Sequence, residues 1–167
     1  MCFTFSLLAD SQVNDSFSVL ARVVDHLMAT GRRQRISKTG FDTYSQWQSE
    51  RANYVVQDAG QIVGLVTLRQ EFLEEWPEVH SLGRVPMIRA LATDPAHRGK
   101  GIGAFALREA MKRCGQHEPI YLDCVSDFLP TYYASFGFTP VAQQWRDYPD
   151  DAPYHITLMR AAPQIVS

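Results

Sequence analysis

Residues 98–104 read Arg98-Gly99-Lys100-Gly101-Ile102-Gly103-Ala104. Three glycines alternate with Lys100 and Ile102 behind an arginine. Missing side chains let a backbone come close to a ligand, and successive N–H groups can then point one way as an anion nest. The stretch follows an apolar run and opens a segment of helical composition, so a helix N-terminus would add its positive end. Arg98 and Lys100 add formal charge. This chemistry suits a pyrophosphate. A tight strand–helix connection with no ligand explains the glycines alone equally well.

Two familiar phosphate motifs fit poorly. A Walker loop needs G-x-x-x-x-G-K-[ST], and here Lys100 is followed by Gly101. A dinucleotide fingerprint belongs to an early βαβ unit with an acidic residue about 20 positions on. This turn lies past mid-chain. Asp123 is at about that offset, but inside a strand-like run rather than at its end.

The elements that must position the turn can be read along the chain. Phe3–Leu8 predicts a strand. Asp10 and Ser11 can cap the helix predicted by Phe17, Val19, Leu20, Val23, Val24, Leu27 and Met28, with Gly31 ending it. Residues 31–40 are basic, bounded by glycines and predict a loop, with a second helix over Thr43–Arg51. Asn53–Gln57 and Ile62–Arg69 flank an Asp/Gly turn and predict a hairpin. Glu71–Gly83 reads as a loop and Val85–Thr93 as a strand, with Pro86 near its start. Ala104–Arg113 predicts a helix closed by Gly115, and Ile120–Val125 a strand. Asp127, Pro130 and Gly137 mark the cap, first turn and end of a short helix. Phe138–Gln144 and Tyr154–Met159 predict final strands around a loop at Trp145–Pro153. The order implies an α/β (α+β) chain with a central mixed sheet.

Composition narrows the function. The 167 residues suit a single domain over 1–167. Lys plus Arg number 16 and Asp plus Glu 18, which excludes a broad nucleic-acid surface but not a local nest of amides. No apolar run approaches the roughly 20 residues of a membrane helix, and the N-terminus lacks the pattern of a signal peptide. Cys2, Cys114 and Cys124 form neither a disulfide framework nor a metal-type C-x-x-C pair. A cytoplasmic protein without metal is the expectation.

Arg98-Gly99-Lys100-Gly101-Ile102-Gly103 resembles the R/Q-x-x-G-x-G/A signature of the GNAT acetyl-CoA-dependent N-acetyltransferases. Leu91-Ala92-Thr93-Asp94-Pro95 resembles that family's "L-a-V-d-P" strand end. Tyr133-Ala134-Ser135-Phe136-Gly137-Phe138 is similar to its "Y-e-k-l-G-F" segment, at the expected distance. Element order fits over residues 3–160. The resemblance implies a mostly antiparallel sheet with a splayed strand and flanking helices. It implies acetyl-CoA as co-substrate, with Leu91, Ala92 and Thr93 pairing with pantetheine and the N–H groups of Arg98–Ala104 holding pyrophosphate. It also implies attack by a primary amine on the thioester and a homodimer as a common assembly. Tyr133 then matches the general acid that protonates the departing thiolate; a packed core aromatic is the plainer reading of a tyrosine on a short helix.

Two positions depart from the family pattern. Ser126 stands where many relatives carry a cofactor-contacting Asn, and Met87 lies near the place of a catalytic Glu in some. The base is therefore elsewhere or is a water chain. Asp123 and His80 are the named candidates, with Glu74, Glu75, Glu78 and His155 behind them. An unpaired carboxylate in an apolar strand would be costly, so Asp123 should find a partner, and Arg89 can serve. His80 is of the type that exchanges protons near neutrality, although a solvated loop histidine is the simpler reading. His97 reads as exposed. Arg32, Arg33 and Arg35 could favour an acidic acceptor, and Trp47, Trp76 and Trp145 an aromatic one; solvated loop and core are the plainer readings. A non-catalytic acyl-CoA sensor, or a transferase for another acyl-CoA, would keep the same cradle.

Overall fold

The computed structural model describes residues 2–31, 38–114, 117–147 and 153–163. Seven strands and four α-helices are described. The hydrogen-bonded strand order is β1-β2-β3-β4-β5-β7-β6. Two compact units emerge, Met1–Leu68 with Ala90–Ala110, and Arg69–Arg89 with Met111–Ser167. Strands β3 (Gln61–Phe72) and β4 (Arg84–Thr93) and helix α3 (Ile102–Cys114) contribute to both.

The first unit holds β1 (Phe3–Leu7), α1 (Val13–Ala29), α2 (Lys38–Ser49) and β2 (Asn53–Asp58). β1 pairs antiparallel with β2, from Phe3↔Asp58 to Leu7↔Tyr54. β2 and β3 form the expected hairpin, closed at Asp58↔Gln61. Its two turn residues, Ala59 and Gly60, have φ of 49° and 81°. That left-handed pair matches the twist of the flanking strands. The apolar face of α1 (Val19, Leu20, Val23) packs with Tyr44 on α2 and with Val55, Ile62 and Leu65 on the hairpin. Asn53 is buried within this layer. Its amide donates to the Tyr44 carbonyl at 3.0 Å and accepts from the Thr67 hydroxyl at 2.6 Å.

The second unit holds β5 (Ile120–Val125), α4 (Leu129–Ala134), β6 (Phe138–Arg146) and β7 (Tyr154–Ala161). β7 pairs antiparallel with both β5 and β6. β4 and β5 pair parallel at Met87↔Tyr121 and Ile88↔Leu122. The paired stretch is two positions long, at the place where the sequence resemblance implies a splay. Two positions past its end, Ala90 has φ of 45°. A non-glycine residue in that region costs about 1 kcal/mol. The core here is Leu73, Trp76, Val79, Val85, Met87, Tyr121 and Leu158. Gly137, at φ 88°, ends the α4 turn as expected.

Several boundaries differ from the sequence expectations. Helix α1 starts at Val13 because Asp10–Gln12 form a 3-10 turn leading into it. Helix α2 begins at Lys38, inside the stretch read as a basic loop, with Gly40 in its first turn. Arg32, Arg33 and Arg35, on which the acidic-acceptor reading rests, lie outside the described residues. Helix α3 starts at Ile102, two residues early, which puts Ile102 and Gly103 in its first turn. β6 runs through Trp145, paired opposite His155. Among the described residues, no helix is long and apolar enough to cross a membrane.

Gly64 on β3 sets how close α3 can begin to the sheet. A Cβ there would lie 2.9 Å from Ile102 Cγ2 and 3.3 Å from the Ala92 carbonyl oxygen. Gly64→Val should therefore destabilise the fold by about 1–3 kcal/mol through overpacking. A lowered urea midpoint with an unchanged slope would bear this out; wild-type stability would contradict it.

Candidate active site

The glycine turn has the geometry its sequence implies. Gly99 and Gly101 have φ of 79° and 78°. No atom lies within 4 Å of a Cβ placed on either, so backbone conformation, not crowding, requires glycine there. The first bond of the α3 ladder runs from Phe105 N–H to the Gly101 carbonyl at 2.9 Å. Among the described residues, no hydrogen bond takes up the N–H groups of Gly99 through Ala104. A helix start always leaves unpaired donors. Here the preceding turn extends that set, with the exposed side chains of Arg98 and Lys100 beside it. The ensemble can hold a multiply charged anion by backbone amides.

Helix α1 anchors this turn. Asp94, read from sequence only as a strand stop, is 1% exposed. Its Oδ2 accepts from Arg22 Nη2 at 2.6 Å and Nε at 3.2 Å, and its Oδ1 accepts from the Ala96 N–H at 3.1 Å. Burial pushes the Asp94 carboxyl upward. The hydrogen bonds from Arg22 and Ala96 and the charge of Arg22 outweigh that, so it sits below the ordinary carboxylate value. His97 is half-buried, against the expectation of exposure, with Nδ1 3.9 Å from Asp94 Oδ2. Arg98 Nη1 lies 2.6 Å from His26 Nε2 on α1. Leu91, Ala92 and Thr93 are half-buried at the end of β4.

Tyr133 is buried on α4, in the second unit. Its ring meets Tyr132 and Phe138 at centroid distances of 5.3 and 6.1 Å. Burial raises the phenol well above its ordinary value, and the neighbouring Cys124, Tyr132 and Asp123 push the same way. It therefore keeps its proton at neutral pH. Cys124, whose thiol burial and the charges of Asp123 and Asp127 push up to about 12, is not a nucleophile at neutral pH.

The two named base candidates sit in different surroundings. Asp123 has the partner that its strand position demanded: Arg89 Nη1 lies 2.6 Å from Oδ2. Arg89 also donates to Glu71 Oε2 from Nη2 at 2.7 Å and Nε at 3.0 Å. Arg146 lies 3.7 Å from Asp123 and 3.2 Å from Glu75. His80 is exposed, with Nδ1 2.6 Å from the Pro77 carbonyl. A carbonyl only accepts, so Nδ1 carries the proton and Nε2 keeps a lone pair in the neutral ring. Ser126 shares a hydrogen bond with the Thr157 hydroxyl, which also accepts from Gln143. Met87 is fully buried.

Trp76 is core, as its plainer reading held, while Trp145 is 70% exposed. None of the three tryptophans lines the cavity of about 320 Å³ walled by Arg69, Glu71, Phe72, Glu74, Glu75 and Arg84. Among the described residues, no group of His, Cys, Asp and Glu could hold a metal. Sequence reading missed Arg22, His26 and Gly64. Arg22 and His26 act across 72 residues of chain, and no local pattern announces such a contact.

Comparison with known proteins is consistent with this geometry. A family model described as the acetyltransferase (GNAT) family matches residues 20–138. No curated protein sequence matches the chain. The fold is similar to ribosomal-protein-S18-alanine N-acetyltransferase from Escherichia coli, at 18% identity and TM-score 0.70 over 99% of this chain and 97% of that one. It is also similar to a histone acetyltransferase HPA2 and related acetyltransferase from Corynebacterium glutamicum, at 21% and 0.72 over 100% and 99%. A putative acetyltransferase from Salmonella typhimurium, solved with its cofactor acetyl-CoA, matches at 17% and 0.67 over 98% and 95%.

The Arg22–Asp94 pair makes a pH-dependent prediction. Because the folded carboxyl lies below its unfolded value, the pair stabilises the protein above that unfolded value, about pH 4. The contribution fades as pH falls through the lower folded value. Arg22→Ala should lose about 1–2 kcal/mol at pH 7, and less as the pH falls below 4. Urea titrations at pH 7 and near pH 3 would check it; an equal loss at both would refute it.

Proposed function

The chain belongs to the acetyltransferase (GNAT) family, and from that premise we propose that it transfers the acetyl group of acetyl-CoA to a primary amine of a small molecule or peptide. The observation that carries this reading is the run of N–H groups from Gly99 to Ala104 that find no acceptor among the described residues. Such donors fit the pyrophosphate of a CoA thioester by backbone geometry, with Arg98 and Lys100 adding charge. Leu91, Ala92 and Thr93 would supply strand-type backbone bonds to the pantetheine amides, and Ser126 a hydroxyl contact.

Acetyl-CoA supplies an activated acyl group. What remains for the protein is proton management. An alkyl ammonium with pKa of about 10.4 is only about one part in two thousand free amine at pH 7. The acceptor must therefore lose a proton before it attacks the carbonyl carbon. His80, whose neutral ring bears a lone pair on Nε2, is the base candidate this reading favours, because Arg89 engages Asp123. As the C–N bond forms and the C–S bond breaks, the thiolate leaves with the electron pair and takes a proton. Tyr133 is the donor in this reading. Burial keeps the phenol protonated at neutral pH, so it can donate as the thiolate leaves.

A thiol-release screen with acetyl-CoA and cationic, aromatic, acidic and peptide amines tests the activity. At least one class should release CoA, and Tyr133→Phe should then lower kcat about a hundredfold while leaving acetyl-CoA affinity within about twofold. CoA binding without release across the panel would instead favour an acyl-CoA sensor. Unchanged turnover in Tyr133→Phe would remove that residue from the chemistry.

A further inference from the structure

Helix α1 reaches the glycine turn at two places one helical turn apart. Arg22 grips the buried Asp94 through a single carboxylate oxygen. Four residues on, His26 Nε2 lies 2.6 Å from Nη1 of Arg98, which itself stands four residues beyond Asp94. A guanidinium has donors only, and it stays protonated throughout the working pH range. Nε2 must therefore be the acceptor, which places the proton of a neutral ring on Nδ1. A positively charged histidine near the end of a helix could serve the helix dipole, but a charged ring has no lone pair to offer Arg98. The contact needs the Nε2 lone pair.

Arg98 is exposed, and His26 is the one hydrogen-bond partner of its side chain among the described residues. Both ends of the contact stand on rigid supports. Val19, Leu20 and Val23 seal α1 against the hairpin. Asp94 is held by Arg22 and by the Ala96 N–H at the start of the turn. A free arginine loses considerable rotamer freedom when it is recruited to a ligand. One already held by Nη1 loses less, and its Nη2 and Nε donors remain available.

We propose that His26 is the positioning residue for Arg98. It fixes the guanidinium beside the Gly99–Ala104 amides, so that a pyrophosphate meets a cation already in place. This rests on the acetyl-CoA reading above. Arg22 and His26 thereby divide the work on one face of α1: the first anchors the turn and the second aims its arginine.

A double-mutant cycle on CoA binding, read by calorimetry at pH 8, tests the assignment. His26→Ala and Arg98→Ala should each weaken CoA about fivefold. The double variant should bind no more weakly than Arg98→Ala alone, because the two act as a unit. His26→Gln offers an amide oxygen to Arg98 and should restore most of the loss. In turnover, His26→Ala should raise KM for acetyl-CoA and leave kcat unchanged. Circular dichroism and melting confirm that each variant is folded. Additive losses, wild-type binding by His26→Ala, or a His26→Gln as weak as His26→Ala would overturn the positioning role. A folded wild type that binds no CoA would overturn the acetyl-CoA reading itself, and this proposal with it.

Discussion

Backbone N–H groups from Gly99 to Ala104 find no acceptor among the described residues, and the local structure is organised around keeping them so. Unpaired donors persist only where solvent or a ligand can reach them. The turn achieves this by passing twice through the left-handed region, at Gly99 and Gly101, before α3 begins. Such a loop is under-determined by its own sequence. Its supports lie elsewhere in the first unit: Arg22 holds Asp94 at the entrance, and Ile102 is fully buried over the bare backbone of Gly64. The shape of the turn thus depends on a salt bridge and a missing methyl group.

The second unit manages charge differently. Its core is apolar around Trp76, Met87 and Leu158. Immediately beyond the two-position ladder of β4 and β5, Arg89 and Asp123 face each other, and Glu71, Glu75 and Arg146 complete a network. Half-buried charges are tolerable only when paired in this way. The network leaves the carboxylate of Asp123 committed, while burial favours the neutral phenol of Tyr133. Desolvation is the largest influence on that phenol, so a substitution that admits water would shift it more than one that moves a charge.

The fold was legible where the chain speaks locally. The β2–β3 hairpin, β4, β5 and the Gly137 turn all follow from alternation, helical spacing or a residue that the backbone demands. Boundaries moved where a neighbouring element extended the pattern. Helix α3 begins at Ile102 because Gly64 gives that side chain room, which no propensity scale sees. The glycine turn was legible for the same local reason as the hairpin. The groups that brace it were not, because Arg22 and His26 are ordinary polar positions on an amphipathic helix until Asp94 and Arg98 come to them from far along the chain. Asp123 was half legible: an isolated carboxylate among apolar neighbours announced that a partner existed, and Arg89 supplied it.

The central claim is that the amides of Gly99–Ala104 take up the phosphates of CoA. Titrating isotope-labelled protein with CoA while following backbone amide resonances tests it most directly. The account predicts saturable shifts concentrated on the N–H groups of residues 99–104, with the Arg98 side chain following them. Saturation elsewhere with those resonances unmoved, or no response at millimolar CoA, would contradict it.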